Sequence, residues 1–263
     1  MAGARITGER PVDGVTPDGL VALHTSGYQE VSARIGAGRV LDVGCGVGFG
    51  ASRLLSDQRM VVGVDYDVPA AVQAGRRWAG QGLRVAAMDG SGLGFPAAAF
   101  DAVCSSHIVE HFVDPASHAR ELARVLRDDG TAVVLTPNAP MDFENPFHVS
   151  LFEPASLAAL LGRFFDDVSV LGHEGSVRAK ADFADRRASA AKLLELDVFD
   201  LRHRVPRSWY VAAYSVATRA AYRLQSGRHA HGASGLGPED FIVIDEVDAA
   251  TLNLLAVARR PRR

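Results

Sequence analysis

Short apolar runs alternate with amphipathic segments along most of this chain. The runs are five or six residues long and rich in Val, Leu and Ala, which is typical of strands buried on both faces of a sheet. They lie at residues 39–43, 60–64, 83–88, 101–105, 131–135 and 167–171. Between them, residues 51–55 are predicted to form a helix, and segments such as residues 115–126 carry apolar positions at helical spacing. This alternation predicts an α/β protein with a parallel sheet between two layers of helices.

Two helical patterns, over residues 184–199 and 208–224, interrupt the alternation, and apolar runs at 241–244 and 252–258 then return to the sheet. We interpret the interruption as a helical lid inserted between the last strands. The predicted organisation has four parts. These are an N-terminal cap (1–36), an α/β core (37–172), a lid or substrate insertion (173–237) and a terminal core strand with a tail (238–263).

The cap contains a predicted helix over residues 20–35, on which His24 and Tyr28 share one face. Most helices of this kind lie at the protein surface and pack on a sheet edge. The alternative is that the preceding arm, with Glu9 and Arg10, closes over a ligand.

Composition narrows the class of protein. The 263 residues carry a net charge of -3 and are 48% apolar, so there is no basic surface for nucleic acid and no nucleic-acid partner is predicted. The cysteines, Cys45 and Cys104, fall in a glycine-rich turn and a buried strand, which argues against an extracellular disulfide framework. With no signal peptide pattern and no apolar run long enough to span a membrane, we expect a cytoplasmic location without a transmembrane segment.

The first predicted strand ends in a glycine-rich turn, VLDVGCGVGFGA, with glycines at 44, 46, 48 and 50. Glycines allow the backbone to pass close to a ligand, so the turn indicates a nucleotide-type site. The same spacing also satisfies the G-x-G-x-x-A pattern of dinucleotide-binding proteins. An NAD(P)-dependent oxidoreductase is therefore an alternative function.

Acidic residues surround this turn. Asp42 lies two residues before Gly44, and Asp65 ends the second strand, where a βαβ unit presents a carboxylate to ribose hydroxyls. Asp89, after the third strand, either accepts a hydrogen bond from an adenine amino group or forms a turn before Gly90. A carboxylate at position 42 would face the diphosphate of a dinucleotide, so the acids favour a cationic ligand such as S-adenosylmethionine.

Several motifs resemble, in order, those of the class I methyltransferases that use S-adenosylmethionine. They are VLDVGCGVGFG, GVDYD, AMDGSGLGFPAAAFDAV and SSHIVEHFVDPASHARELARVLRDDGTAVVLTPN, within residues 38–172. The last segment is similar to the branch of ubiquinone-type and sugar-type O-methyltransferases. The resemblance implies a Rossmann-like, doubly wound sheet of seven strands in the order 3-2-1-4-5-7-6. It also implies that strand seven, which residues 252–258 can supply, is antiparallel.

The resemblance also implies S-adenosylmethionine as the cofactor, with S-adenosylhomocysteine as its product, and it assigns roles to individual residues. The methionine part would be held by Asp42, Gly44, Gly46 and Gly48. The ribose would be bound by Asp65, and the adenine by Tyr66 and by Asp89 with the adjacent Gly90. Ser106 would contact the cofactor from the fourth strand.

Methyl transfer is an in-line displacement, so the protein mainly aligns the acceptor with the methyl group. An aliphatic hydroxyl also gains from a base, and histidine suits that role near neutral pH. The candidates are His107, His111 and His148, of which we favour His148, with His111 second. The alternatives are that His111 packs beside Glu110 and that His148 braces its loop. His118 is predicted to lie on the surface.

The predicted acceptor is a hydroxyl of a small molecule, such as a sugar, a glycolipid or a natural-product intermediate. N- or C-methyl transfer and a catalytically silent cofactor-binding protein stay open. Residues 208–224 mix aromatic and basic side chains, which leaves open a membrane surface, a lipid-linked substrate or a homodimer partner. Some sugar methyltransferases of this general fold use a divalent ion near the transferred oxygen, so metal dependence stays open. Because Asp142 and Glu144 lack a clear third ligand, no metal site is predicted.

Overall fold

The computed structural model describes residues 16–142, 147–195 and 235–263. In this part of the chain the strands form one mixed sheet of eight, in the order β3-β2-β1-β4-β5-β8-β6-β7. The strands are β1 (Gly38–Val43), β2 (Arg59–Asp65), β3 (Arg84–Ala87), β4 (Phe100–Ser106), β5 (Leu126–Pro137), β6 (Phe165–Gly175), β7 (Phe241–Ile244) and β8 (Asn253–Pro261).

Helices cover both faces of this sheet, as the alternation of apolar runs predicts. They are α1 (Asp18–Arg34), α2 (Val68–Trp78), α3 (Pro115–Val125), α4 (Pro154–Leu161) and α5 (Val177–Glu195). The side chains of β1 alternate between two apolar clusters, so that Val40 packs with Tyr28 of α1, whereas Leu41 belongs to the cluster of Leu122 and Leu157 in α3 and α4.

The pairing confirms a Rossmann-like α/β sheet but corrects the predicted number of strands from seven to eight. Strands β1 to β5 pair in parallel, and β8 lies antiparallel between β5 and β6, where residues 252–258 were expected. The additional strand is β7. It pairs with Gly172–Gly175, because β6 continues beyond the predicted end at residue 171 and offers an edge to a four-residue apolar run.

The segment after the glycine turn also differs from expectation. Residues 51–55 were predicted as a helix, but Ala51–Leu54 form a single 3₁₀ turn. Leu55 leaves the helical region with ψ at 138°, and the next residue, Ser56, forms a bridge with Arg59 at the start of β2. The short connection therefore leaves no room for a longer helix.

Of the predicted lid, residues 173–195 and 235–237 fall within the described part of the chain. Residues 173–175 belong to β6, and α5 packs on α1 through Ala179 and Phe183, which share a cluster with Leu23. The predicted helix over residues 208–224 and the arm with Glu9 and Arg10 lie outside the described residues. None of the helices searched in the described chain is both long enough and apolar enough to cross a membrane.

Candidate active site

A cavity of about 500 Å³ opens where the carboxyl ends of the parallel strands meet, and its volume lies in the usual range for small-molecule sites. Most residues that the sequence singles out lie in its wall. These are Gly44, Gly46, Asp65, Tyr66, Asp89, Gly90, Ser106 and His111. Asp42, Gly48 and His148 are not part of the wall.

Asp65 joins the glycine turn to the second strand. Its Oδ2 accepts a hydrogen bond from the Gly46 amide at 2.8 Å, and its Oδ1 accepts one from the Asp67 amide at 2.9 Å. The Gly44 amide donates to the Val64 carbonyl at 2.7 Å, so the turn is tied to β2 at two points. Because each oxygen of Asp65 keeps further acceptor capacity, the carboxylate can brace the turn and still accept a ligand hydroxyl.

Asp42 lies behind the wall rather than in it. Its side chain is fully buried, and the Tyr28 hydroxyl donates to both carboxylate oxygens at 3.2 Å. Burial raises the pKa of Asp42 to about 7, against the hydrogen bonds from Cys104 and Tyr28 that lower it. Asp42 thus borders the cavity through Tyr28, and the fixed negative charge near a ligand comes from Asp65 and Asp89 instead.

Gly48 shapes the turn without lining the cavity. Its φ is +79°, and a Cβ at this position would lie 2.6 Å from Cδ1 of Trp78. The Trp78 indole in turn donates to the Val47 carbonyl at 3.0 Å. The residue therefore allows α2 to pack directly on the glycine turn.

Asp89 forms a turn, which is one of the two roles that the sequence analysis left open for it. It also lies in the cavity wall. Its Oδ1 accepts hydrogen bonds from the Ser91 amide at 2.8 Å and the Ser91 hydroxyl at 2.7 Å, which lower the pKa of Asp89. Tyr66, on the same side of the cavity, is 76% exposed and presents an open aromatic surface.

The prediction that His118 lies on the surface is wrong. His118 is fully buried, with its ring nitrogens 2.9 Å from the Gly90 carbonyl oxygen and 2.9 Å from the Ser105 hydroxyl. It precedes Leu122 by four residues and Val125 by seven, which is the spacing of the buried face of α3 and a signal that could have placed it inside. His118 therefore holds Gly90 in the cavity wall.

We expect the free energy of unfolding to fall as the pH is lowered from about 6.5 to about 4. Burial lowers the pKa of His118 to about 4, that of His173 to about 3 and that of His24 well below its ordinary value. In this window the unfolded state, whose histidines have ordinary pKa values, binds more protons than the folded state, and each of these three histidines adds up to about 1.4 kcal/mol per pH unit to the slope of the unfolding free energy. The raised pKa of Asp42 acts in the opposite direction and cancels one of the three, which leaves a net slope of about two protons.

Urea denaturation at several pH values tests this expectation with His118→Gln. Glutamine keeps a donor and an acceptor but does not titrate, so the variant should lose about one proton from the slope. A matched Arg120→Gln variant, which changes an exposed residue of the same helix, should keep the slope of the unmodified protein. An unchanged slope in His118→Gln would contradict the burial effect.

A buried carboxylate and three histidines occupy the far side of the cavity. Glu110 is 1% exposed, its Oε2 accepts a hydrogen bond from the Thr136 hydroxyl at 3.0 Å, and its Oε1 lies 3.6 Å from Nδ1 of His107. Burial alone raises the pKa of Glu110, but its interactions with His107 at 3.6 Å and with His111 and His148 outweigh this effect and lower the pKa to about 2. Glu110 is therefore an anion in the folded protein.

The two predicted bases are neighbours, with ring centroids 5.0 Å apart. Nδ1 of His111 lies 3.1 Å from the Phe147 carbonyl oxygen, and Nδ1 of His148 lies 2.6 Å from Oδ1 of Asp142. His111 lines the cavity and His148 packs behind it. The contact between His148 and Asp142 is the loop-bracing contact that the sequence analysis gave as the alternative role of His148.

Helix α1 supplies wall residues that sequence reasoning did not assign to the site. His24 and Tyr28 both line the cavity, and the His24 ring packs edge to face on His107 at 4.7 Å. His107 also lines the wall and has a φ of +55°, unusual for a residue other than glycine. The sequence does show that His24 and Tyr28 share one face of the helix, and this shared face could have indicated that both residues line the site.

Taken together, the sheet, the glycine turn and the acid that ends β2 define a Rossmann-like domain with a nucleotide-type site. Residues 41–134 match the family described as a methyltransferase domain. The match covers about a third of the chain, and this part of the chain is similar to a methyltransferase domain. The O-methyltransferase branch is a finer assignment and is not part of this match.

A curated relative from Mycobacterium tuberculosis, described as a "probable S-adenosylmethionine-dependent methyltransferase", is 34% identical over 178 residues. The aligned region covers 64% of this chain and 63% of the relative, so the similarity spans less than two thirds of the length of that protein. A similar protein of Mycolicibacterium smegmatis is 32% identical over 166 residues, covering 59% of this chain and 63% of that protein. The cofactor prediction, S-adenosylmethionine, is confirmed at the level of the family.

Solved structures share the fold at low sequence identity. A phosphoethanolamine N-methyltransferase of Haemonchus contortus in complex with S-adenosyl-L-methionine has a TM-score of 0.55 at 16% identity, covering 89% of this chain and 52% of that one. The [4+2]-cyclase SpnF has a TM-score of 0.57 at 19% identity, covering 96% of this chain and 86% of that one. Since a cyclase shares the fold, the fold alone does not establish the reaction.

Proposed function

We propose that this chain is an S-adenosylmethionine-dependent methyltransferase that transfers a methyl group to a hydroxyl of a small molecule. The observation that carries the proposal is the charge of the cavity. Its wall, among the residues the structure describes, contains Asp65 and Asp89 but no Lys or Arg. Acidic groups attract a sulfonium and an ammonium group, whereas the diphosphate of a dinucleotide would find no cationic partner there.

Two further features support S-adenosylmethionine over NAD(P). The hydroxyl of Ser106 is buried at the cavity and has no hydrogen-bond partner in the described part of the chain, so a ligand with polar groups would satisfy it. The glycine turn leads into the 3₁₀ turn Ala51–Leu54 rather than an α-helix. A diphosphate therefore lacks the helix N-terminus that dinucleotide-binding folds provide directly after the turn.

We assign the wall residues to the parts of the cofactor in the order of the strands that carry them. The methionine part contacts Gly44 and Gly46, and the ribose contacts Asp65. The adenine contacts Tyr66, Asp89 and Gly90, and Ser106 contacts the cofactor from β4. Asp42 and Gly48 act indirectly, the first by holding the Tyr28 hydroxyl and the second by allowing the turn to pack on Trp78. The bound cofactor supplies a methyl group that its sulfonium makes electrophilic.

The acceptor binds beside the histidines of the wall. His24, His107 and His111 line it, and an imidazole can hold a hydroxyl and take its proton near neutral pH. We assign proton removal to His111, since it is the predicted base that reaches the cavity, and the bracing of the loop to His148. A sugar, glycolipid or natural-product intermediate is the proposed acceptor class, with N- or C-methyl transfer as the alternative.

Transfer of a ¹³C-labelled methyl group into extract fractions of the producing organism tests the proposal. We expect a labelled small molecule whose methyl group is bound to oxygen, which the chemical shift of a ¹³C-labelled methyl group distinguishes from a methyl group on nitrogen or carbon. A methyl group bound to nitrogen or carbon would contradict hydroxyl transfer. Absence of labelled product, with the cofactor bound, would contradict the enzymatic function.

Once an acceptor is known, His111→Gln should lower kcat by about 100-fold, because a glutamine cannot take the proton. The affinity for S-adenosylhomocysteine should change little, since His111 lies on the acceptor side. Arg120→Gln, on the exposed surface of α3, serves as the control and should leave both quantities unchanged. An unaltered kcat in His111→Gln would contradict the assignment of the base.

A further inference from the structure

Glu110, His111 and His148 bring three ligand atoms together at the edge of the cavity. One carboxylate oxygen and one ring nitrogen from each histidine all lie within 4.8 Å of one another. The residues come from two segments, a 3₁₀ turn after β4 (Val109–His111) and the loop that follows β5. His111 lies in the cavity wall, so an ion held by this cluster would border the acceptor side.

Nδ1 of each histidine in the cluster has an oxygen acceptor. Nδ1 of His148 lies 2.6 Å from Oδ1 of Asp142, and Nδ1 of His111 lies 3.1 Å from the Phe147 carbonyl oxygen. A carbonyl or carboxylate oxygen at this distance places the proton on Nδ1 and the lone pair on Nε2. Metal-binding histidines almost always have this arrangement, in which the outer N–H is held and the inner nitrogen coordinates.

One buried carboxylate oxygen of Glu110 lacks a close donor among the residues that the structure describes. The Thr136 hydroxyl satisfies Oε2, whereas Oε1 accepts no hydrogen bond from the residues that the structure describes. The nearest cation-forming group is Nδ1 of His107 at 3.6 Å. A buried carboxylate oxygen without a close donor is costly, and coordination to a cation removes that cost.

We propose that Glu110, His111 and His148 form a site for one divalent transition-metal ion such as Mn²⁺ or Zn²⁺. Two imidazoles and one carboxylate suit these ions, whereas Mg²⁺ prefers a shell made of oxygen atoms. A four-coordinate ion with bonds of about 2.1 Å holds its ligand atoms about 3.4 Å apart, so binding would draw the three atoms together from their spacing of up to 4.8 Å. Asp142 is a positioning residue, because it acts on the ion through His148.

The use of the ion rests on the proposed function. With three protein ligands, the ion has open positions for water or for the oxygen of the acceptor, and it favours the deprotonated hydroxyl. Proton removal by His111 applies to the metal-free protein. In the metal-bound protein His111 is a ligand, and the acceptor proton passes to His107 in the same wall. The cluster would thus orient the acceptor oxygen beside the cofactor.

Titration of the full-length, chelator-treated protein with Mn²⁺, followed by the paramagnetic resonance signal of free Mn²⁺, tests the site directly. We expect one ion per chain and at least about a 10-fold loss of affinity in Glu110→Gln and in His148→Ala, with a smaller loss in Asp142→Asn. Asp89→Asn, an acid of the same cavity outside the cluster, is the matched control and should bind Mn²⁺ normally. Circular dichroism establishes that each variant is folded, and His148→Ala suffices if Glu110→Gln does not fold.

Titration with S-adenosylhomocysteine in the same samples separates this inference from the proposed function. The cluster variants should keep their affinity for S-adenosylhomocysteine while losing Mn²⁺. Binding of S-adenosylhomocysteine without any Mn²⁺ binding, or Mn²⁺ binding that both cluster variants retain, overturns the metal site and leaves the proposed function standing. Mn²⁺ binding that depends on the cluster, with no affinity for S-adenosylhomocysteine, supports the site and overturns the proposed function.

Discussion

Gly44→Ala should reduce the affinity for S-adenosylhomocysteine by at least about 100-fold, because the substitution conflicts with both the backbone and the packing of the turn. Gly44 has a φ of +80°, and an added Cβ would lie 2.1 Å from Cγ1 of Ile108. Ile108 itself lines the cavity, so any movement that relieves the overlap disturbs the ligand site. The overlap and the unfavourable φ should also destabilise the protein by about 2–4 kcal/mol.

Calorimetric titration and thermal unfolding of the same variant measure the two effects. Gly80→Ala is the matched control, since a Cβ at Gly80 would meet no atom within 4 Å. The control should bind S-adenosylhomocysteine like the unmodified protein. Normal affinity in Gly44→Ala would show that the turn does not approach the ligand, which would contradict the assigned site.

Asp65→Asn is expected to have the second large effect, a loss of about 100-fold in affinity for S-adenosylhomocysteine. Both oxygens of Asp65 accept hydrogen bonds from backbone amides, those of Gly46 and Asp67. An asparagine has one acceptor oxygen, so its amide nitrogen would face a backbone N–H at less than 3 Å. The variant would lose one brace of the glycine turn and the charge that binds the ribose hydroxyls.

The matched control is Asp57→Asn, which changes an exposed carboxylate just before the opposite end of the same strand. It should leave the affinity unchanged. Isothermal titration with S-adenosylhomocysteine measures both variants, and an equal affinity in Asp65→Asn and the unmodified protein would contradict the proposed ribose contact.

The sequence predicts the parallel strands and the edge at which the site lies, because buried parallel strands have continuous apolar runs and their carboxyl ends meet. The apolar runs at 241–244 and 252–258 also return to the sheet as expected, as β7 and β8, and only the total of seven strands that the resemblance implied is wrong. The helix predicted after the glycine turn is wrong for a local reason. The chain reverses within a few residues there, and helical composition does not indicate this.

The cofactor side of the cavity was more accessible to sequence reasoning than the acceptor side. Gly44, Gly46 and Asp65 form local motifs at fixed distances along the chain, and the structure places them in one wall. The cluster of Glu110, His111 and His148 forms only when two loops that are distant in sequence fold onto each other. No spacing along the chain indicates such a site, and the prediction of no metal followed from that.

Calorimetric titration of the full-length protein with S-adenosylhomocysteine and, separately, with NADH tests the central claim most directly. The acidic wall and the missing helix N-terminus predict that S-adenosylhomocysteine binds with one molecule per chain and that NADH gives no heat of binding. NADH binding at the same stoichiometry, together with no binding of S-adenosylhomocysteine, would contradict the account.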